Sequence, residues 1–189
     1  MLLTLASQSP RRAKILESHG VAFEVVKTDA PEVSIPYDPQ RTVVENAVHK
    51  LMVCDRIPAL AADTIVWNEG KIYGKPADLE EAKAFLRELS GRTHTVFTGV
   101  AYGDDTGIRT ACGRSDVTFR TLSETDIDEY VARVHPLDRA GAYDIDACGE
   151  LVVASYTGSY ENIMGLPLEP LREWGLVGMT GLQIRRGVL

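Results

Sequence analysis

Short apolar runs alternate with segments of helical periodicity along most of this 189-residue chain. The apolar runs have the length and the β-branched residues of strands, whereas the segments between them repeat apolar residues at helical spacing. This alternation is typical of α/β proteins, in which helices cover a central sheet. The length fits one domain, or one domain with a lobe. Strands are predicted at residues 2–5, 21–26, 59–67, 72–73, 95–102, 110–121 and 151–156.

Cap residues mark the starts of several predicted helices. Ser9 precedes Pro10, which suits the first helical position, and Asp78 and Ser123 stand before two later helical patterns. Residues 165–168 are predicted to form a turn before the last helix. The predicted helices cover residues 10–19, 38–51, 78–91 and 123–135 and a region around 161–174.

Charge and hydropathy disfavour two classes of protein, those that bind nucleic-acid polymers and those that span membranes. A net charge of −7 argues against a protein that binds a nucleic-acid polymer, so an anion site must be a local basic cluster. No apolar run is long enough to span a membrane, and the first residues lack a secretory signal pattern.

Three cysteines without short spacing are expected to be reduced thiols in a cytoplasmic protein. The four histidines show no metal-ligand spacing and are expected to be surface or hydrogen-bonded residues.

Residues 6–12 (ASQSPRR) concentrate groups that bind phosphate. The start of a helix presents free N–H groups and a partial positive charge, and a guanidinium can hold two phosphate oxygens at once. The segment therefore predicts an anion site at the start of the first long helix. The alternative is an ordinary capped helix that carries two solvated arginines.

Asp63 lies within an otherwise apolar run. Burying an unpaired carboxylate is costly, so this residue must be paired, protonated, bound to a metal, or placed at the end of the strand. Desolvation is also how proteins tune a general base, which makes Asp63 a candidate for chemistry. The alternative is an aspartate that caps the strand end or a neighbouring loop.

Other segments carry weaker signals. Lys75 is held in extended chain before Pro76 and could reach a phosphate, whereas Lys50 could also serve as a charge at a helix end. Residues 138–146 form a charged loop with small residues that would let backbone approach a ligand. The chain lacks a phosphate-binding glycine loop, a dinucleotide fingerprint and a nucleophile elbow, which disfavours an ATPase motor, a dehydrogenase or a serine hydrolase.

Taken together, these segments resemble the Maf family of septum-formation-inhibitor-like nucleoside triphosphate pyrophosphatases. The matching segments follow the family's order and span nearly the whole chain, so that we expect residues 1–189 to form a single domain of this type. They are residues 5–12 (LASQSPRR), 62–66 (ADTIV), 74–76 (GKP), 89–91 (LSG), 140–143 (AGAY) and 164–168 (MGLPL).

The resemblance implies an α/β fold like that of the inosine-triphosphate pyrophosphatases, with an elongated mixed sheet flanked by helices and a cleft between two lobes. It implies hydrolysis of a nucleoside triphosphate to the monophosphate and pyrophosphate with a divalent metal, Mg or Mn. It also implies a homodimer, although the residues themselves indicate no interface. A second hypothesis is a nucleotide-binding regulator of cell division with little turnover.

The resemblance assigns roles by position. Asp63 matches the family's catalytic aspartate, the proton acceptor, and Glu32 matches a loop acid that helps with metal or water. The residues alone leave open whether Asp63 is a base or a metal ligand. Asp63 and Glu32 are both expected to contact the metal. The positions that match polar residues of the triphosphate site are Ser7, Arg11, Arg12, Lys50 and Lys75.

The resemblance also bears on the substrate. The branch of the family that acts on dTTP and UTP has Arg, Thr and Gln at three positions where this chain has Arg11, Thr64 and Asp146. An ionised carboxylate only accepts hydrogen bonds, so Asp146 could accept from the N3–H of thymine or uracil but could not donate to a carbonyl. We expect dTTP and UTP as substrates; the alternative is 7-methyl-GTP or another modified nucleotide. The family usually has Lys and Gly at the positions of Arg139 and Asp144.

Overall fold

A computed structural model describes residues 2–178 and the backbone of residues 187–188. It has the α/β class expected from the sequence, with a mixed sheet flanked by helices. The strands are β1 (Leu3–Ala6), β2 (Phe23–Val26), β3 (Ala59–Asn68), β4 (Lys71–Tyr73), β5 (Thr93–Asp104), β6 (Gly107–Phe119), β7 (Val153–Thr157) and β8 (Gly187–Val188). The helices are α1 (Pro10–Ser18), α2 (Pro39–Met52), α3 (Leu79–Leu89), α4 (Glu124–Val134), α5 (Gly149–Val152), α6 (Tyr160–Ile163) and α7 (Leu168–Glu173).

The sheet has the strand order β2-β1-β3-β5-β6-β7-β8, and β4 pairs with the far end of β3. Strand β1 is parallel to both of its neighbours, whereas all the other pairings are antiparallel. Because β1 is short, it pairs with β3 only as far as Ala6, opposite Ala61. Strand β3 continues beyond that point, so a gap opens in the sheet at the carboxyl end of β1. Open α/β sheets commonly bind ligands at such places.

The register of β3 places its next residues at this gap. Asp63 pairs with Gly99 of β5, and Thr64 pairs with Thr98. Because successive side chains of a strand point to opposite faces, Asp63 and Thr64 lie on opposite faces of the sheet. Both side chains lie beside the gap, because β1 ends before it reaches them. Asp63 therefore lies inside a strand, and the alternative of an aspartate that caps the strand end is wrong.

Helix α2 lies very close to the sheet over β5. A Cβ atom added at Gly99 would lie 2.3 Å from the backbone oxygen of Val43 and 2.6 Å from the backbone nitrogen of Val44. Only a residue without a side chain allows this approach. The same helix packs Ala47 and Leu51 on small residues of the sheet. The close packing brings the polar residues of α2 to the level of Asp63.

The opposite face of the sheet carries the larger core. Helix α3 buries Phe85 and Leu86 there, and α4 buries Ile127 and Tyr130. The predicted caps of these two helices are confirmed, because the side chains of Asp78 and Ser123 accept hydrogen bonds from backbone N–H groups of the first turns. These bonds satisfy donors that the start of a helix leaves free.

The cap predicted at Ser9 is wrong. Ser9 stands at the N-cap position of α1 but its side chain makes no capping hydrogen bond. Its backbone N–H instead donates to Ser7 Oγ at 3.2 Å. The serine side chain that binds the backbone before α1 is therefore that of Ser7.

Four strands differ from the sequence prediction by two residues or more, and one predicted helix divides. Strand β5 extends two residues beyond its predicted range at each end, and β6 begins three residues earlier and ends two residues earlier than predicted. Strands β2 and β7 begin at Phe23 and Val153, two residues later than predicted. In β7 the preceding residues form the short helix α5, since a left-handed residue at Cys148 lets one helical turn start there. The region around 161–174 splits into α6 and α7, because Gly165 has a positive φ of 104° and Pro167 follows it. The predicted turn at residues 165–168 is the point of the split.

Two further expectations concern cysteines and the membrane. Cys54, Cys112 and Cys148 are free thiols. Burial raises the pKa of Cys112 to about 11, so that thiol is inert at neutral pH. Within residues 2–178, no helix combines the length and apolar composition needed to cross a bilayer.

His94 departs from the expectation of a surface or fully hydrogen-bonded histidine. It is 2% exposed on β5 and packs edge-on against Phe119 and Tyr143. Its Nε2 lies 3.0 Å from the Tyr143 hydroxyl, whereas Nδ1 has no hydrogen-bond partner among the described residues. Burial lowers the pKa of His94 from 6.5 to about 3, so the ring is neutral in the folded protein.

We expect this histidine to make the fold sensitive to acid. The unfolded chain binds a proton at His94 near pH 6.5 and the folded chain only near pH 3, so stability is lost as pH falls through this window. Between pH 7.5 and 5.0 the free energy of unfolding should fall by about 2 kcal/mol.

Urea unfolding of His94→Gln, whose amide can still bond to Tyr143, should show a smaller loss over the same pH range. His135→Asn, at an exposed left-handed position where asparagine is tolerated, should keep the wild-type loss. An unchanged loss in His94→Gln would contradict the assignment.

Candidate active site

A cleft of about 400 Å³ opens at the carboxyl end of β1. Its lining comes mainly from residues 6–12, the loop at residues 28–32, the part of β3 beside the gap, and residues 138–145 and 163–165. Most of the residues singled out from the sequence line this cleft. They are Ser7, Arg11, Arg12, Glu32, Lys50, Asp63, Thr64 and Lys75.

Arg12 is fixed by neutral partners. Its Nε donates to the Gly165 carbonyl oxygen at 2.8 Å, Nη1 donates to Ser7 Oγ at 2.9 Å, and Nη2 donates to Thr64 Oγ1 at 3.1 Å. Burial lowers the pKa of Arg12 to about 10, so it remains charged at neutral pH. None of these partners is a carboxylate, so the positive charge is held in place without an ion pair within the described residues, while the nearby charge of Asp63 favours it. The positive φ of Gly165 turns its carbonyl toward Arg12, and a Cβ there would lie 3.4 Å from Arg12 Nε.

Asp63 is held by two residues of α2. Its Oδ1 accepts from Lys50 Nζ at 2.5 Å, and its Oδ2 accepts from Asn46 Nδ2 at 3.0 Å. The amide of Asn46 is oriented in turn by both backbone groups of Val33. Asp63 is only 6% exposed, so this pairing offsets the cost of burying its charge. Of the possibilities left by the sequence, the structure shows the paired carboxylate.

Glu32 and Asp63 share one cation. Lys50 Nζ lies 2.7 Å from Glu32 Oε1 as well as 2.5 Å from Asp63 Oδ1. Burial opposes ionisation of Glu32, but the hydrogen bond and charge of Lys50 outweigh it and the pKa of Glu32 is lowered. The two carboxylates therefore converge on one point and present oxygen atoms to it.

The cleft is not the basic cluster expected from the net charge. It is lined by four cations and five carboxylates. The acids are largely matched by neighbouring bases, so the cleft mixes cations with the two predicted acids and three further ones. Arg12 has no carboxylate partner, and Lys75 makes no hydrogen bond or ion pair within the described part of the chain. The cations are Arg11, Arg12, Lys50 and Lys75, and the carboxylates are Asp29, Glu32, Asp63, Asp138 and Asp144.

This donor set fits a divalent cation. Magnesium is commonly held by one or two carboxylates together with phosphate oxygens and water. Asp63 and Glu32 would supply the two carboxylates, from the point where Lys50 now bridges them. Within residues 2–178, no group of three or more His, Cys, Asp and Glu residues is placed to hold a metal. The remaining ligands would therefore come from a bound phosphate and from water.

Asp146 does not line the cleft, although Asp144 and Ile145 just before it do. Its Oδ2 accepts from Lys14 Nζ at 2.5 Å and its Oδ1 from the Tyr160 hydroxyl at 3.1 Å, and it is not among the lining residues. The hydrogen bond from Lys14 lowers the pKa of Asp146. The structure therefore does not bring Asp146 together with the other residues singled out from the sequence. Asp144, two positions earlier, lines the cleft instead.

Sequence reasoning missed Asn46 and did not assign a role to Asp144. Asn46 looks like any polar residue of an amphipathic helix, and only the approach of α2 to β5 brings it to Asp63. A usable signal for Asp144 was its position in the charged loop at residues 138–146. It could not reveal which acid of that loop faces inward.

A family profile described as Maf-like protein matches residues 2–174 of this chain. The chain belongs to the Maf family. Among curated Maf relatives, a protein of Akkermansia muciniphila named dTTP/UTP pyrophosphatase is 41% identical over 171 residues, which are 87% of this chain and 89% of the relative. A protein of the same name from Escherichia coli strain K12 is 44% identical over 172 residues, which are 88% of this chain and 87% of the relative.

Among solved structures, that of the Staphylococcus aureus Ham1 protein aligns with this Maf chain at a TM-score of 0.46 and 14% identity. The alignment covers 64% of this chain and 73% of the other. A superposition at that level supports no inference about activity. The family assignment rests on the sequence match.

Proposed function

We propose that this protein is a nucleoside triphosphate pyrophosphatase that hydrolyses the α–β phosphoanhydride of dTTP and UTP with the help of a divalent cation. The observation that carries the proposal is Asp63, a buried carboxylate fixed by Lys50 and Asn46 in a cleft that also holds the charge of Arg12. The relatives named dTTP/UTP pyrophosphatase supply the substrate class.

The cleft has the groups that such hydrolysis needs. Water must be directed at the α-phosphorus, and the negative charge that gathers on the leaving pyrophosphate must be offset. Asp63 would orient that water and accept its proton, while Arg12 and Lys75 would bind phosphate oxygens. Ser7 keeps Arg12 in place, so its charge is positioned before the nucleotide arrives. We assign Asp63 the role of base and of metal ligand, with Glu32 as the second ligand.

The charge balance of the cleft supports a requirement for a divalent cation. Its five carboxylates offset its four cations together with Arg139, which pairs with two of those carboxylates, so the cleft has no surplus of positive charge for a triphosphate. A bound Mg²⁺ or Mn²⁺ would supply that charge and lower the pKa of its own water. Lys50 would then be released from one of the two carboxylates and could contact a phosphate.

The structure weakens the case for 7-methyl-GTP. That alternative rested on Asp146 replacing an amide beside the base, whereas Asp146 is paired with Lys14 and Tyr160 outside the cleft lining. Arg11 and Thr64, which match the dTTP/UTP branch, both line the cleft. We therefore retain dTTP and UTP, and we extend the proposal to cytoplasmic action as a homodimer on free nucleotides rather than on nucleic-acid polymers.

Pyrophosphate release from a panel of nucleotides tests the proposal. The panel comprises dTTP, UTP, CTP, GTP and 7-methyl-GTP, each with Mg²⁺, with Mn²⁺ or with a chelator. We expect turnover of dTTP and UTP to exceed that of the other nucleotides, to yield the monophosphate, and to stop in the chelator. Orthophosphate as the product would place the cleavage at another bond and contradict the mechanism.

The regulator hypothesis predicts a different result from the same panel. A protein that only binds nucleotides would release no pyrophosphate from any of them, although it would still bind dTTP or UTP in a calorimeter. Preference for 7-methyl-GTP would show that Arg11 and Thr64 do not decide the substrate. Either result would overturn the proposed function.

A further inference from the structure

Asp144 is the most heavily constrained residue of the loop at residues 138–146. Its Oδ2 accepts from Arg139 Nε at 2.9 Å and from Arg11 Nη1 at 3.3 Å, while its Oδ1 accepts from the Asp146 backbone N–H at 2.9 Å. Its own backbone N–H donates to the hydroxyl of the fully buried Tyr130 at 2.8 Å. Asp144 is 6% exposed, so these bonds fix one carboxylate beneath the wall of the cleft.

The two arginines of residues 6–12 differ in the donors they have left. Arg12 uses three of its nitrogens on Gly165, Ser7 and Thr64. Within residues 2–178, Arg11 makes a single side-chain hydrogen bond, the one of 3.3 Å to Asp144, and it lines the cleft. A guanidinium carries five N–H donors, so most of those on Arg11 remain available to a ligand, in a direction set by Asp144.

We propose that Asp144 is a positioning residue for nucleotide selection, which holds the free donors of Arg11 at the edge of the pyrimidine. This inference rests on the proposed function and names a determinant of its specificity. Position O4 of uracil accepts a hydrogen bond, whereas the amino group at the same position of cytosine donates one. A fixed donor from Arg11 therefore favours UTP over CTP, and a mobile donor loses that preference.

Arg139 shares the carboxylate that holds Arg11. Asp144 lies between the two guanidiniums, so its single negative charge is shared between Arg139 and Arg11. Arg139 makes the shorter of the two contacts and also pairs with Asp138. Arg139 therefore fixes the position of Asp144, and Asp144 in turn holds Arg11.

The test compares UTP with CTP in Asp144→Asn. These two nucleotides share the ribose and the triphosphate, so the general effect of removing a negative charge from the cleft cancels in the ratio of their kcat/KM values. We expect that ratio to fall about tenfold, which corresponds to about 1.4 kcal/mol of lost discrimination. Arg11→Gln should lower the ratio similarly, and adding Asp144→Asn to it should cause no further fall, because both changes remove one interaction.

Asp104→Asn is the matched control. Asp104 also pairs with an arginine, Arg109, at 2.7 Å, but it lies at the β5–β6 turn outside the cleft. Its UTP to CTP ratio should equal that of the wild type. If Asp144→Asn does not fold, Arg139→Gln removes the anchor alone and should lower the ratio in the same direction.

The outcomes separate this inference from the proposed function. A uniform change for UTP and CTP in both Asp144→Asn and Arg139→Gln, or no change in either, would overturn the positioning role while leaving the pyrophosphatase activity established. Absence of wild-type turnover would overturn the proposed function. In that case the ratio of dissociation constants for UTP and CTP, measured by calorimetry, tests the role of Asp144 on its own.

Discussion

Replacing Asp63 with asparagine should lower the rate of pyrophosphate release about 10²–10⁴-fold, the range typical of removing a general base. The amide cannot accept the proton of water and is a poor ligand for a divalent cation. The measurement is kcat of the variant with saturating UTP and Mg²⁺, compared with kcat of the wild type. Activity above a tenth of the wild-type value would contradict the role of Asp63.

The same substitution should also reduce stability. The two oxygens of Asp63 accept from Lys50 and from Asn46, and an asparagine can satisfy only one of them. Asn46 cannot turn its amide to compensate, since both of its groups are bound to the backbone of Val33. We expect a loss of about 1–3 kcal/mol in urea unfolding, the cost of one unsatisfied buried group.

Asp116→Asn is the control for this prediction. Asp116 also lies on the sheet, on β6, where it accepts from Thr95 at 2.7 Å outside the cleft. Its activity should remain within twofold of the wild type. A comparable loss of turnover in this variant would mean that Asp63→Asn acts through the sheet rather than through the chemistry.

Gly99→Ala should destabilise the fold by about 3 kcal/mol or more, the upper range for forcing an atom into a packed core. The new Cβ would lie within 2.6 Å of three backbone atoms of Val43 and Val44, and a helix backbone cannot move aside as a side chain can. In a domain of this size, the change corresponds to a fall of roughly 6–12 °C in the melting temperature. Turnover should fall as well, because α2 carries Lys50 and Asn46.

Gly103→Ala provides a matched control on the same strand and the same face. Its nearest contact would be the tip of the Leu51 side chain at 3.2 Å, which can rotate away. We expect less than about 1 kcal/mol of destabilisation and unchanged turnover. Thermal unfolding of the two variants compares these expectations. Equally small falls in melting temperature would show that the backbone of α2 moves to accommodate the new Cβ atom of Gly99→Ala.

The sequence was sufficient wherever one element carries the whole signal. The β-branched runs predicted β3, β5 and β6, and the caps at Asp78 and Ser123 predicted the helices that follow them. The weaker results came where two elements meet. Ser9 makes no side-chain cap and its N–H is bound by Ser7, and the region around 161–174 divided at Gly165, whose carbonyl oxygen is bound by Arg12.

The amino-acid sequence by itself determined the α/β class, the family and most of the residues that gather at the end of β1, since periodicity, caps and ordered motifs are properties of neighbouring residues. Only the tertiary structure decided the electrostatics of the cleft. It placed Asn46 and Lys50 on Asp63, balanced the cations with nearby acids, and turned Asp144 inward and Asp146 outward. The reason is physical: the energy of a charge depends on its burial and on partners that are distant in the chain, which local patterns do not specify.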